Sequence, residues 1–301
     1  MIIPPLLSPG DSVIILSPAS PPKSDNWLLG LETLKQWGLH PILSPNHSAS
    51  HFGLAGTDTE RLEDFQWALN HPHAKAIFPI RGGYGSSRFI DNLDFSTFLQ
   101  HTKWLVGFSD ITAPLMHLNA LNVASIHGPM PHNFIQEGGE YALEQLKQLL
   151  FRGEASINAE PHPLNRNGMA EAEITGGNLS LVSHLIGTKS FPAIAGKILF
   201  LEEIGERLYH VDRMLVQLKR AGILSELAGL IVGGFTDCEE APLEIGKNAY
   251  ELIAEHTASF QYPIAYNFPA GHITNNQPIA FGVKSKFLVN NSEVQLIGQL
   301  L

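Results

Sequence analysis

Short apolar runs, each closed by turn residues and followed by a segment with helical spacing, recur through the first half of the chain. This alternation restricts the folds open to it more than any other feature. Ser12-Val13-Ile14-Ile15-Leu16-Ser17-Pro18 reads as a buried parallel strand, and Trp27, Leu28, Leu31 and Leu34 mark a helix ending near Gly38. Residues 41–43 form a weaker strand, 57–70 a second helix, 76–80 a strand, 88–99 a helix, 103–106 a strand and 111–121 a helix. Strands alternating with helices imply an α/β fold: an open, mostly parallel sheet flanked by helices, with ligands gathered at the carboxyl ends of the strands.

The pattern changes after the amphipathic helix expected over 140–151. Residues 153–168 turn polar and carry Pro161, Pro163 and Gly168, and beyond them short strands are denser, at 170–174, 197–201, 227–235, 264–268, 278–282 and 292–299. Helices are expected over 208–221 and 250–257, and a helix-like segment begins at Gly176-Gly177-Asn178. A chain of 301 residues exceeds the usual size of one core. We therefore expect an N-terminal α/β domain over 1–160 and a smaller β-rich C-terminal domain over 170–301.

Composition narrows the function. Apolar residues make up 44% and charged residues 16%, which suits a compact globular protein. The net charge of −10, with no Lys/Arg cluster, argues against nucleic acid or an anionic membrane as partner and for small-molecule chemistry. The single cysteine, Cys238, excludes an intrachain disulfide and a cysteine-rich zinc site. Met1-Ile2-Ile3-Pro4-Pro5-Leu6-Leu7 lacks the basic and long apolar regions of a signal peptide, and we expect a soluble cytoplasmic protein.

Three polar groups fall at the ends of apolar strands. Ser109, in Leu105-Val106-Gly107-Phe108-Ser109-Asp110-Ile111-Thr112, lies where a strand turns into a helix, a position that presents a nucleophile clear of the sheet. Ser109 or Asp110 could equally cap that helix, and Ile111 stands where G-x-S-x-G would require glycine. Glu202 follows the buried run 197–201, and could instead pair with Lys197 or Arg213; His272 follows Pro269-Ala270-Gly271, and could be a turn residue. A serine hydroxyl needs an imidazole to take its proton and a carboxylate to orient that imidazole, so these three are candidates for a triad in the order serine, acid, histidine, beside the structural readings just given. The Gly-rich stretch 81–87 fits neither G-x-x-x-x-G-K-[ST] nor G-x-G-x-x-G, which leaves a nucleotide site unsupported. His127, beside Gly128-Pro129, is either a ligand or base or a structural histidine.

Several segments together resemble the L,D-carboxypeptidase family of serine peptidases: Arg81-Gly82-Gly83-Tyr84-Gly85-Ser86, Gly107-Phe108-Ser109-Asp110-Ile111-Thr112, Leu201-Glu202-Glu203 with Tyr209 and Asp212-Arg213-Met214-Leu215, and Pro269-Ala270-Gly271-His272. Gly10-Asp11, His127-Gly128-Pro129 and Gly176-Gly177-Asn178-Leu179-Ser180 add to a likeness that spans nearly the whole chain. The resemblance implies a cytoplasmic homodimeric hydrolase, without metal or other cofactor, that removes the terminal D-alanine from murein tetrapeptides in cell-wall recycling. It maps the nucleophile onto Ser109, the base onto His272 and the acid onto Glu202, with Glu203 the alternative. The N–H groups of Asp110 and Gly83 then suit an oxyanion hole, and Arg81 and Tyr84 substrate binding, with Arg81 on the free carboxylate or in a structural ion pair. Ile273-Thr274-Asn275-Asn276 departs from the Gly-rich continuation of many relatives. A second branch, which hydrolyses microcin C-type acyl-sulfamoyl adenylates, shares the triad segments; length and the lack of an insertion before Glu202 favour the murein branch. A cleft-type binding protein without chemistry is the alternative of another class.

Overall fold

The computed structural model describes residues 1–241 and 243–300, which build two sheets. The first half supplies β1 (Ser12–Leu16), α1 (Asn26–Gln36), β2 (His40–Leu43), α2 (Asp58–Asn70), β3 (Ala74–Pro79), α3 (Ser96–Gln100), β4 (Trp104–Gly107), α4 (Thr112–Ala120), β5 (Ser125–His127) and α5 (Glu140–Arg152). The second supplies β6 (Glu154–Ala159), β7 (Gly168–Asn178), α6 (Leu179–Leu185), β8 (Ile198–Ile204), α7 (Leu208–Arg220), β9 (Gly229–Thr236), α8 (Ala249–Thr257), β10 (Ile264–Ala265), β11 (Ile279–Phe281), β12 (Lys284–Val289) and β13 (Val294–Gln299). The fold is α/β, with a mostly parallel N-terminal sheet in the order β11-β5-β4-β3-β1-β2 and a second sheet in the order β10-β9-β8-β7-β12-β13-β6. No helix among the described residues is long and apolar enough to cross a membrane.

Alternation along β1 sorts the first core into two layers, because successive side chains of a strand face opposite ways. Val13 and Ile15 pack with Leu31 and Leu34 of α1 and Leu146 and Leu149 of α5. Ile14 and Leu16 pack with Phe65 and Leu69 of α2 and Leu115 and Leu118 of α4. That second layer continues into Ile198 and Phe200 of β8 and Phe281 of β11, so one apolar core joins the two sheets. The far face of the second sheet, with Leu199 and Leu201, packs against α6, α7 and α8.

Helix α2 shows how sequence sets an element's limits. Thr57 Oγ1 accepts from the Glu60 N–H at 3.2 Å while Glu60 Oε2 accepts from the Thr57 N–H at 2.7 Å, a complete capping box. At the other end, buried Lys103 donates to the carbonyls of Ala68, Leu69 and His71 at 3.2, 2.7 and 2.9 Å. Burial pushes its ammonium down to about 8. Lys103→Met strands those carbonyls in the interior, and urea unfolding is expected to show a loss of about 2 kcal/mol.

The structure departs from the sequence expectations at several places, among them β12, a strand lying between those expected at 278–282 and 292–299. The helix expected over 88–99 is replaced by two 3-10 turns, Ser86–Arg88 and Ile90–Asn92, and by α3, because the Gln66 side chain holds both the N–H and the carbonyl of Asp94 and the Asp94 carboxylate accepts from the Ser96 N–H. Residues 176–177 extend β7 rather than opening a helix: at Gly176 a Cβ would stand 2.0 Å from the Phe200 carbonyl oxygen of the adjacent strand. β6, inside the expected linker, is an edge strand paired antiparallel with β13; Ile157 is its buried anchor in the core and Ala159 packs partly against it, so it carries little apolar signal. β11 returns to the first sheet, antiparallel to β5.

Candidate active site

Strands β1 and β3 are sheet neighbours from which the chain departs in opposite directions, and their carboxyl ends flank the crevice where an open α/β sheet binds ligands. The two loops meet there, with the Ser20 N–H donating to the Gly82 carbonyl at 3.4 Å. Beside them β4 ends at Gly107, Phe108 is extended, and Ser109 takes φ +63° before the turn Ser109–Ile111 leads into α4. A non-glycine residue in this region costs about 1 kcal/mol or more, a strain typical of sites that must present a side chain. Gly82 makes room for it: a Cβ there would lie 2.8 Å from Ser109 Cβ and 3.0 Å from Oγ. Ser109 makes no capping hydrogen bond, and its hydroxyl lies on a half-exposed residue.

Asp110 does not cap either. Its buried carboxylate accepts from the N–H groups of Gly85 and Ser86 at 3.1 and 2.9 Å, and its carbonyl accepts from Ser86 Oγ at 2.8 Å, so the Ser109 turn is fastened to the Gly-rich loop. Burial pushes this carboxyl up, opposed by the Ser86 and Gly85 donors and the Arg61 charge. Arg61, fully buried and paired with Asp58, donates to the carbonyls of Gly85 and Pro18 at 2.8 and 3.1 Å. Nothing local in the sequence singled out Arg61 or Ser20, because their roles depend on loops brought together from different strands.

The two candidate acids point in opposite directions. Glu202 shares the face of Phe200, towards the first sheet, and its Oε2 accepts from His272 Nδ1 at 2.6 Å and from the His272 backbone N–H at 3.2 Å. Glu203 faces the helical layer and accepts from Asn178 Nδ2 at 2.6 Å, from Ser180 N–H and Oγ at 2.8 and 2.7 Å, and from the Ile204 N–H at 2.9 Å. Burial pushes the Glu203 carboxyl up. The ion pairs weighed for Glu202 go elsewhere: Lys197 joins Glu173 at 2.9 Å, and Arg213 lies over the Tyr209 ring. With Nδ1 committed to the carboxylate, His272 Nε2 is left to exchange a proton.

The imidazole of His272 lies 4.8 Å, centroid to centroid, from the ring of Phe108, the residue preceding Ser109. The two lobes therefore meet at the Ser109 turn. Among the described residues no hydrogen bond joins Ser109 to His272, a common state of catalytic pairs before substrate arrives. Gly83 is exposed with φ +121°, its N–H without a partner among the described residues. Arg81 is half-buried, donates to the Pro21 carbonyl at 3.4 Å and has no acidic partner among the described residues; burial pushes its guanidinium down. Tyr84 stands 59% exposed on the same loop.

Comparison with known proteins gives the family of the chain. Residues 13–128 match the LD-carboxypeptidase N-terminal domain, and residues 171–287 match the LD-carboxypeptidase C-terminal domain. The chain is 35% identical over 291 residues to a probable murein peptide carboxypeptidase of Bacillus subtilis, covering 94% of this chain and 90% of the relative. It superposes on the crystal structure of muramoyltetrapeptide carboxypeptidase from Oxalobacter formigenes with a TM-score of 0.84 at 25% identity, covering 96% and 98% of the two chains. A more distant relative, 23% identical over 335 residues and covering 98% and 95%, is the microcin C7 self-immunity protein MccF of Escherichia coli. A match to both halves of one peptidase family, at this identity and across nearly the full length, makes the chain a hydrolase that belongs to the LD-carboxypeptidase family.

Proposed function

We propose that the protein is a serine-dependent L,D-carboxypeptidase that releases the terminal D-alanine from murein tetrapeptides. The observation that carries this reading is the pair of buried Glu202 and partly buried His272, 2.6 Å apart, set against the Phe108–Ser109 turn. In the forward step Ser109 Oγ attacks the carbonyl of the third residue while His272 Nε2 takes the hydroxyl proton. Glu202 stabilises the imidazolium and keeps Nδ1–H directed towards itself. The developing oxyanion receives the N–H groups of Asp110 and Gly83. His272 then returns the proton to the departing D-alanine amine, and a water deprotonated by the same imidazole releases the tripeptide from Ser109. Residues 1–160 supply the nucleophile in this scheme and residues 170–301 the acid and base.

An exopeptidase must recognise a free carboxylate, and Arg81, a guanidinium without an acidic partner among the described residues, suits that task beside exposed Tyr84. Arg81→Met is expected to raise KM for a free-carboxylate tetrapeptide by about 10- to 100-fold, the scale of one charge-assisted hydrogen bond, and to change KM for the C-terminal amide little. Equal effects on both substrates would remove Arg81 from this role. A cytoplasmic homodimer is part of the same proposal and rests on the family resemblance; light scattering on the purified protein reads the mass.

The deciding experiment incubates the protein with tetrapeptides ending in D-Ala or L-Ala and, separately, with an aminoacyl-sulfamoyl adenylate, followed by mass spectrometry. Release of D-Ala alone is the expected result. Cleavage of the adenylate without the peptide assigns the chain to the microcin-type reaction, and turnover of neither overturns the proposal.

A further inference from the structure

Helix α4 starts where the Ser109 turn ends, and the Thr112 N–H donates to the Ser109 carbonyl, so a shift of the first helical turn is passed directly to the nucleophile. The helix is buried from Thr112 to Asn119, and its two sides belong to different lobes. Leu115 and Leu118 pack with Ile14 and Phe65 of the first lobe, whereas Ala113 and Met116 pack with Leu199, Leu201 and Val211 of the second. Apolar packing is non-directional and tolerates small slides of a helix between its neighbours; a hydrogen bond fixes direction and distance.

Two hydrogen bonds from α4 cross between the lobes. Thr112 Oγ1 accepts from the Asn178 N–H at 3.0 Å, and five residues further on His117 Nδ1 is bonded to Ser190 Oγ at 2.8 Å, with all four residues buried. The first of these bonds lies at the reacting groups. Asn178 is the last residue of β7 and stands in register with Glu202 on the adjacent parallel strand, while Thr112 is bonded through its own N–H to Ser109. Gly177 allows the approach: a Cβ there would stand 2.5 Å from Thr112 Oγ1 and 2.6 Å from Cγ2.

We infer that Thr112 is a positioning residue for the Ser109 reaction, its hydroxyl fixing the nucleophile's turn against the strand beside Glu202. The inference rests on the peptidase reading above. The nucleophile comes from one lobe and the acid and base from the other, so their alignment depends on how the lobes are registered. A displacement of about 1 Å between reacting groups costs on the order of 100-fold in rate. The His117–Ser190 bond lies about 7.5 Å further along the helix axis, where the same loss of one hydrogen bond is felt in stability and less at Ser109.

The test compares Thr112→Val, which keeps the shape and loses the acceptor, Thr112→Ser, which keeps the acceptor, and Ser190→Ala, which removes the distal bond. Each is read by melting temperature, by kcat and KM on the tetrapeptide, and by the rate at which a fluorophosphonate labels Ser109, where Oγ displaces fluoride from phosphorus and its proton passes to His272. Thr112→Val is expected to lower kcat and the labelling rate about 10- to 100-fold with KM nearly unchanged, and Thr112→Ser to recover most of both. Ser190→Ala should lose melting temperature on the scale of Thr112→Val yet keep both rates within about threefold of wild type. Should Thr112→Val not fold, Thr112→Ala, which leaves room for a water at the Asn178 N–H, is judged by the same outcomes. Rates unchanged in the Thr112 variant, or rates that fall alike with melting temperature in it and in Ser190→Ala, assign Thr112 to stability alone and overturn the inference. Labelling separates this from the peptidase reading. A wild type that is labelled at Ser109 but cuts no tetrapeptide refutes that substrate, while the order of the labelling rates still decides the role of Thr112; a wild type that is neither labelled nor active overturns both.

Discussion

Ser109→Ala is expected to lower kcat/KM for a murein tetrapeptide by about 10⁴-fold or more, the scale on which nucleophile loss is felt in triad hydrolases. The fold should persist, because the Ser109 hydroxyl supports no capping bond and the turn is held by Asp110 through Gly85 and Ser86. The left-handed backbone at this position sharpens the test. Ser109→Gly removes the Cβ that makes φ +63° costly, so this variant should be equally inactive yet more stable than Ser109→Ala by about 1 kcal/mol. Thermal unfolding of the two variants reads the difference. Substantial activity in either one would remove Ser109 as nucleophile.

The second large effect separates two adjacent glutamates. Glu202→Gln keeps the volume of the side chain but removes the charge that meets the His272 imidazolium, and kcat is expected to fall roughly 10³- to 10⁴-fold with little change in KM. Glu203→Gln acts on stability instead. The wild-type carboxylate accepts four hydrogen bonds, from Asn178, Ser180 and Ile204, and an amide turns one acceptor atom into a donor facing donors. Denaturant unfolding should show a loss of about 2 kcal/mol, with kcat of the folded fraction within about tenfold of wild type. The opposite pattern would transfer the role of acid to Glu203.

The reason these neighbours differ so much is the two-residue period of a strand. On β8 the residues before the pair already declare the two faces: Phe200 joins the core shared with the first sheet, while Leu199 and Leu201 join the core under the helices. A sequence displays Leu201-Glu202-Glu203 without saying which face is which. Only the position of β8 between β7 and β9, and of His272 above it, directs Glu202 to the cleft and Glu203 to the helical layer.

Local physics made much of the rest legible. Apolar runs stopped by turn residues marked β1, β3, β4, β8 and β9, since a fully buried strand must be apolar on both faces, and helical spacing marked α2. Ser109 was readable as a strand-to-helix turn because glycine precedes it by two residues and a helix pattern follows. Elements whose identity depends on a neighbour were not readable in this way. β6 carries little apolar signal and exists by pairing with β13, β7 continues through two glycines because β8 lies against them, and β11 is recruited by a strand of the other lobe. The same division holds at the site. The sequence alone determined which residue types stood at strand ends, and so which chemistry was available, because burial and turn formation are recorded in local pattern. The tertiary structure decided which of those groups meet, that Asp110 clamps a loop, that Glu202 rather than Glu203 holds His272, and that His127 is sealed against Phe200 of the other lobe, because contacts between residues more than 20 positions apart leave no trace in local spacing.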